Sequence, residues 1–508
     1  MVQALQVIPF PEWRPDEADL LSTYATEAKN VSPGPVGYKP LAGVGTTVRM
    51  SALTARCQGS NFFASINDGF VYQFAGDASK LYFNDSSGTA TDASKAGGYS
   101  VAVEDTWEFT TFAGAAIASN VNDPIQTVAM SGMSSSTTLT FADLATSTLQ
   151  PKAKNIATIK RQVVIGNTLE GSTSYPNRVR WCAVDDAADW DASQSTLADF
   201  QDIEGVGEVR KVIGGLDYGV ILCDDNIVRM DFVGTPDIYT FDKLEPGRGC
   251  LSSGSVATWG NLVIFLDREG FFAFDGYQSH PIGAEKVDKY FFDNWDANLA
   301  FRMTAVIDKI QKIYVIAYAS SSATTTDPDS LLIYHIPTKK WSRASVAVEI
   351  LTEARTGPLT LEQLDDHPLG GDDLDALTVS FDSSVWDGGA HRFGAFNTSH
   401  AGVFFDGANL AATIETPVLQ FIPGSRAILD SVRPLADGGT LSCSVDARER
   451  LNDSESFGSA VTQNTDGICA FDSANSGRYH KIRTAVAASG TWTHLEGIVP
   501  FVHDAGMF

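Results

Sequence analysis

The sequence predicts an all-β protein, a β-propeller-like body followed by a C-terminal β-sandwich-like domain, and three observations predict it. The first is a hairpin written into residues 259–283, WGNLVIFLDREGFFAFDGYQSHPIG. An apolar run at 262–266 and an aromatic run at 271–274 flank Asp267, Arg268, Glu269 and Gly270, which supply the chemistry of a tight turn. The second is recurrence. Residues 219–234 and 305–320 repeat the arrangement, with turn centres near Asp225, Arg268 and Ile310 about 43 and 42 residues apart. A period of ~40–50 residues carrying four strands is that of propeller blades, which stack around an axis because one blade cannot bury both of its faces alone. The third is composition: 44% apolar residues, with 44 glycines and 29 phenylalanines in 508 residues, favours strands and tight turns around a real core. An antiparallel sandwich of ordinary meanders is the other arrangement that this spacing admits for the body.

Taken in order, residues 1–40 read as an extended N-terminal segment laid along the surface. Pro15, Pro33, Pro35 and Pro40, with Gly34 and Gly37, keep it from continuing any regular element. Within it, Glu17, Asp19, Glu27 and Lys29 suit a short capped helix over 17–28. The propeller body is expected over 41–410, with loop insertions. Further hairpins are expected at 65–74, 331–344 and 400–407, strands at 106–120, 156–167 and 177–190, and a long Ser/Thr/Gly/Ala loop at 84–100. Short helices are expected at 286–292 and 359–364. After about Thr413 the texture changes, and 411–508 reads as a separate β domain.

Charge and motif content exclude several function classes. Lys and Arg number 36 against 62 Asp and Glu, a net charge of −26, and no basic run occurs. A surface that grips nucleic acid needs clustered cations, so none is expected; the charge suits either an acidic soluble surface or an acidic tunnel that DNA passes without sticking. Cys57, Cys182, Cys223, Cys250, Cys443 and Cys469 form no CxxC pair and flank apolar runs, so buried free thiols are expected. The opening twenty residues lack a basic stretch followed by a long apolar one, and no run approaches the ~20 apolar residues of a membrane span. The expectation is a soluble protein made in a reducing cytoplasm.

No G-x-S-x-G elbow and no P-loop is present, and the Gly-Val-Gly triplets at 43–45 and 205–207 read as turns. His367, His391 and His400 lie near Asp365, Asp366, Asp372, Asp373 and Asp375, yet they lack EF-hand spacing and helical His pairing, so no metal ligand is assigned. Ser489, Gly490, Thr491 and Trp492 are a fragment of the repeated box of propeller sialidases, too little to assign catalysis. Trp181, Trp190, Trp259, Trp295, Trp341, Trp386 and Trp492 read as core aromatics. The expectation is no enzyme activity and no cofactor.

Several stretches together resemble the tail hub, or nozzle, proteins of short-tailed bacteriophages, also described as packaged-DNA stabilisation proteins. They are NVSPGPVGYKPL (30–41), WEFTTFAGAAIASNVNDPIQ (107–126), NRVRWCAVDDAADWD (177–191), the hairpin 259–283 with IGAEKVDKYFFDN (282–294), TLEQLD (360–365) with VSFDSSVWDGG (379–389), and GRYHKIRTAVAASGTWTHLEGI (477–498). The resemblance implies a propeller protomer in a homohexameric ring below the portal and the head–tail adaptor. Packaged DNA would be retained by this ring and conducted through its channel on ejection. It also implies a place in the virion tail after assembly in the host cytoplasm, with tail fibres, tailspikes or a needle as further partners. On this reading the carboxylates of Glu362, Asp365, Asp366, Asp372, Asp373 and Asp375 face the channel and repel phosphate. The alternative is a propeller tail protein that binds or cleaves host-surface glycan.

Overall fold

Strands Leu262–Asp267 and Gly270–Phe274 pair antiparallel across a turn in which Asp267 faces Gly270. Ala257–Trp259 and Ser279–Pro281 flank them and complete a four-stranded sheet. A computed structural model describes this sheet and residues 3–4, 6–19, 22–46, 48–64, 71–84, 88–130, 139–355 and 391–506 in all. Six such four-stranded sheets stand in a ring, the arrangement of a β-propeller. The meander Thr304–Asp308, Ile313–Tyr318, Ser330–His335 and Lys340–Ser345, which opens a nine-stranded sheet, fills the place between the fifth and the sixth of them. Seven four-stranded blades therefore surround the axis.

The blades hold together because alternate side chains of each strand point to opposite faces. In Leu262–Asp267, Val263 and Phe265 join the core shared with the preceding blade, while Ile264 and Leu266 join the core shared with the following one. In Tyr218–Cys223, Ile221 and Cys223 face backwards and Val220 and Leu222 forwards. Burial on both faces explains why these strands read as unbroken apolar runs rather than alternating ones. Four more shared cores complete the scheme around the ring. The last joins Met50, Ile350 and Phe396 of the seventh blade to Ala75 and Tyr82 of the first. That closure depends on the N-terminal strand Val48–Met50, which supplies the fourth strand of the final blade beside Gly402–Phe404.

The sandwich takes in strands from both ends of the chain. Its first sheet orders Cys469–Gly477, Arg426–Ala436, Leu495–Gly506, Tyr38–Pro40 and Val31–Pro33, with Gln3–Ala4 and Ile8–Pro9 also lying along Leu495–Gly506. Its second is the continuation of the nine-stranded sheet. Beyond Lys340–Ser345 come Glu27–Lys29, Ala412–Glu415, Tyr479–Val486, Leu441–Arg448 and Val461–Thr462. One core cluster runs through both parts, from Leu266 and Tyr314 in the blades to Leu429, Ile482 and Ile498 in the sandwich.

Four sequence expectations are corrected. Among the described residues of 17–28 no helix forms; Glu27–Lys29 is a strand paired on both sides, because two sheet edges offer it more hydrogen bonds than an isolated surface turn could. The N-terminal segment is extended but not superficial, since Val31 and Tyr38 are 0% and 1% exposed. The turn near Ile310 is not equivalent to those at Asp225 and Arg268. The latter two join the second and third strands of their blades, whereas Ile310 joins the first and second. The hairpin expected at 400–407 is a single strand, Gly402–Phe404, paired on both sides by others. The helix expected at 286–292 is found at Asp288–Asn294, and the one at 359–364 lies outside the described residues.

That helix carries a pH-sensitive contact. Asp16 accepts the N–H groups of Lys289 at 2.9 Å and Tyr290 at 2.7 Å, capping it from outside. Asp288 turns inward and accepts the Phe271 N–H at 3.1 Å. Its carboxylate sits so close to Gly270, whose φ is 136°, that a Cβ there would lie 2.1 Å from Oδ2. Burial pushes the Asp288 carboxyl up to about 7, with the charge of Asp16 adding to it. A raised acid pKa means that the folded state holds the proton more tightly, so stability falls as pH climbs from ~4 towards 7. Asp288→Asn is expected to melt several degrees above wild type at pH 8, the gap closing as pH falls to 4; thermal melts across that range check it.

Candidate functional site

The ring leaves an axial cavity of about 340 Å³ to which every blade contributes, among them Asn61, Phe109, Ile156, Lys211, Val256, Ala305 and Leu351. Close convergence of the first strands needs residues without a side chain. A Cβ at Gly59 would fall 2.1 Å from the Trp107 carbonyl oxygen, and one at Gly254 would fall 1.8 Å from that of Met303. A neighbouring hollow of about 260 Å³ is bordered by Glu104, Asp105, Lys154, Glu208 and Arg210, so both signs of charge meet there.

The wall of the cavity is tied by polar struts between blades. Lys211 of the fourth blade reaches past the third to pair with Glu108 of the second. Glu108 also accepts the Ile156 N–H at 3.4 Å, and the hydroxyls of Thr110 and Thr158 bond at 3.0 Å. The Lys211–Glu108 pair neutralises two charges that the narrow axis would otherwise leave poorly solvated.

Where the ring closes, Glu349 is the centre of a buried cluster. Its side chain is 1% exposed, and it accepts the Cys57 N–H of the incoming first blade at 2.9 Å. Its other oxygen meets His400 Nδ1. Burial pushes the Glu349 carboxyl up, while the Cys57 and His400 contacts pull it down. Arg302, 6% exposed, lies in the field of Glu349 and Asp327, and burial lowers its pKa. Arg56 approaches Asp327 at 3.9 Å. This is a clasp of charges at the seam of the ring. Among the described residues, no three His, Cys, Asp or Glu side chains gather as a metal site would need.

The acidic run of the sequence, Glu362, Asp365, Asp366, Asp372, Asp373 and Asp375, lies outside the described residues, as do His367 and Trp386. The strands that flank it are Ile350–Arg355 and His391–Phe396, and Arg355 pairs with His391. The run therefore connects the first two strands of the seventh blade. His400 meets Glu349. Trp181, Trp190, Trp341 and Trp492 are buried core aromatics, and the six cysteines are free and buried. The Gly-Val-Gly at 205–207 is a turn, with φ of 69° and 74° at its glycines. Sequence reasoning missed Glu108, Lys211, Arg302 and Glu349. The signal available for two of them was position, since Glu108 opens and Glu349 immediately precedes the first strand of a blade.

No protein-family model and no curated protein matches the chain. Among solved structures it is similar to BBS1N in complex with ARL6DN, with a TM-score of 0.38 and 8% identity over 72% of this chain and 96% of that one. It is similar to Raptor of Chaetomium thermophilum, with a TM-score of 0.38 and 9% identity over 61% of this chain and 27% of that one. It is also similar to apo AztD of Citrobacter koseri, with a TM-score of 0.29 and 13% identity over 56% and 71%. At these TM-scores the likeness carries no functional argument.

Glu349→Ala is expected to cost roughly 3–5 kcal/mol of unfolding free energy, because it strands a buried N–H and removes one member of a buried charge cluster. Glu353→Ala, on the strand that Glu349 precedes but with a side chain 33% exposed and paired to Lys309, is expected to cost less than ~1 kcal/mol. Urea titrations of the two variants check the contrast.

Proposed function

We propose that the chain is a structural, non-enzymatic component of a short-tailed bacteriophage tail. In this reading six copies form a hub or nozzle ring below the head–tail adaptor that retains packaged DNA and conducts it on ejection. The observation that carries the proposal is the nine-stranded sheet running from the sixth blade into the sandwich with no linker between them. A part that must keep its shape under load is served by one continuous body, whereas catalysis across domains is commonly served by a hinge. Of the stretches that resemble nozzle proteins, those among the described residues fall on blades two, three and five and on both sheets of the sandwich, while 360–365 and 379–389 lie outside the described residues. The net charge of −26 suits a conduit that polyphosphate slides past. The proposal gives that task to the carboxylates of 362–375.

A second reading, a propeller that binds host glycan, draws on the axial cavity, whose lining combines Asn61, Gln58 and Arg56 with Phe109 and Phe301. The two readings separate in one experiment. Negative-stain class averages of the purified chain, alone and with head–tail adaptor complexes, are expected to show six-fold rings. Particles that stay monomeric on the adaptor and bind glycan would replace the tail reading with the second. Within rings that assemble, reversing Asp365, Asp366 and Asp372 to Lys is expected to slow genome release; unchanged release removes the role given to those carboxylates.

A further inference from the structure

Two of the six buried cysteines differ from the rest. Cys443 lies on Leu441–Arg448, in the nine-stranded sheet, and Cys469 opens Cys469–Gly477, at the edge of the facing sheet of the sandwich. Both are 0% exposed and belong to the same core cluster. The strands Leu441–Arg448 and Cys469–Gly477 pack against each other across the gap between the sheets, the two thiols lie close enough that each is the largest influence on the other's proton, and the Cys443 sulfur lies 3.6 Å from the Thr484 hydroxyl. Cys223 and Cys250 form the instructive contrast. Their backbones touch, the Cys250 N–H donating to the Cys223 carbonyl at 2.8 Å. Their side chains enter different cores, Cys223 between blades three and four and Cys250 between blades four and five.

We propose that Cys443 and Cys469 are a redox-modifiable dithiol, a site at which a peroxide closes a disulfide that staples the two sheets of the sandwich together. The neighbouring Cys443 thiol holds the Cys469 thiol below its ordinary range, while the same contact and burial push Cys443 up. Cys469 is therefore the attacking sulfur. Its thiolate attacks one oxygen of the peroxide, the O–O bond breaks, and Cys469 becomes a sulfenic acid as hydroxide leaves and takes up a proton. The Cys443 sulfur then attacks the Cys469 sulfur, the S–O bond breaks, and a second water departs with the Cys443 proton. Two thiols and one hydrogen peroxide give one disulfide and two waters.

Access follows from position in the sheet. Cys469–Gly477 has a neighbour on one side only, Arg426–Ala436. Even that pairing slips: Asn475 faces Leu429 and Ala470 faces Ser431, so one strand carries extra residues against the other. Ala470, next to Cys469, is exposed. A small oxidant reaches the sulfur by local opening of this edge, without unfolding the core.

The test is to treat the purified, fully reduced chain with hydrogen peroxide and to compare intact mass, peptide map and melting temperature before and after dithiothreitol. The expected result is a loss of about 2 Da, a linked pair of peptides bearing Cys443 and Cys469, and a melting temperature several degrees higher that returns on reduction. Cys443→Ser and Cys469→Ser are each expected to lose the link, and Cys223→Ser to keep it. Should the first two fail to fold, the wild-type peptide map decides alone. Oxygen addition without a disulfide, a link between Cys223 and Cys250, or an unchanged or lower melting temperature of the linked form would each overturn the proposal.

Discussion

Strand Glu27–Lys29 satisfies two sheet edges at once, and the architecture hangs on that. Without it, the outer strand of the sixth blade and the strand Ala412–Glu415 would each present unpaired N–H and C=O groups, the template for misassociation that stable β proteins avoid. With it, the ladder continues from blade to sandwich. Asn30 donates its N–H to the Arg343 carbonyl at 2.7 Å, and its side-chain amide to the Ala411 carbonyl at 2.8 Å. The Arg343 guanidinium meets the Glu27 carboxylate, one of its bonds at 2.8 Å, and the Ser342 hydroxyl reaches the Val31 carbonyl at 2.6 Å. Trp13 and Ala28 then fill the space beneath, in the core that both parts share. From this anchorage the chain has only to travel to Val48–Met50 to close the ring.

That closure sets the requirements on every other blade. A ring transmits misfit, so each sheet must present matching apolar faces before and behind, and the strand Leu262–Asp267 meets this with side chains committed alternately to two cores. The same geometry brings backbones together near the axis. Glycine at 59 and 254 admits that approach, and carboxylates there are held by cross-blade partners such as Lys211. The exposed pair Arg268–Asp225 links equivalent turns of adjacent blades, but with side chains 64% and 55% exposed it adds little. Cohesion resides in the apolar faces.

How much of this was legible in the sequence follows from the range of the interactions. Turns and paired runs are local, so the hairpins at 219–234, 259–283 and 331–344 could be read from neighbouring residues. The blade period could be read less well. A turn between first and second strands looks like one between second and third, and the Ile310 turn entered the count on that account. The helix over 17–28 failed for the opposite reason: its local signals were genuine, but its competitor was a pair of sheet edges supplied from residues beyond 340 and 411. The candidate site was least legible. The contact between Cys57 and Glu349 spans 292 positions, and no local pattern announces it.

Glu349 also shows why a buried carboxylate belongs where a ring closes. Apolar faces are tolerant of sliding, because one methyl group replaces another at small cost, and a seven-bladed ring built from similar faces could close with its last sheet displaced along the first. A carboxylate that must find the Cys57 N–H on one side and His400 on the other accepts a single register, since any slip leaves it buried and unpaired. The penalty for a wrong closure then greatly exceeds what the right one contributes. The polar clasp selects the arrangement, and the surrounding core of Met50, Ala75, Tyr82, Ile350 and Phe396 stabilises it.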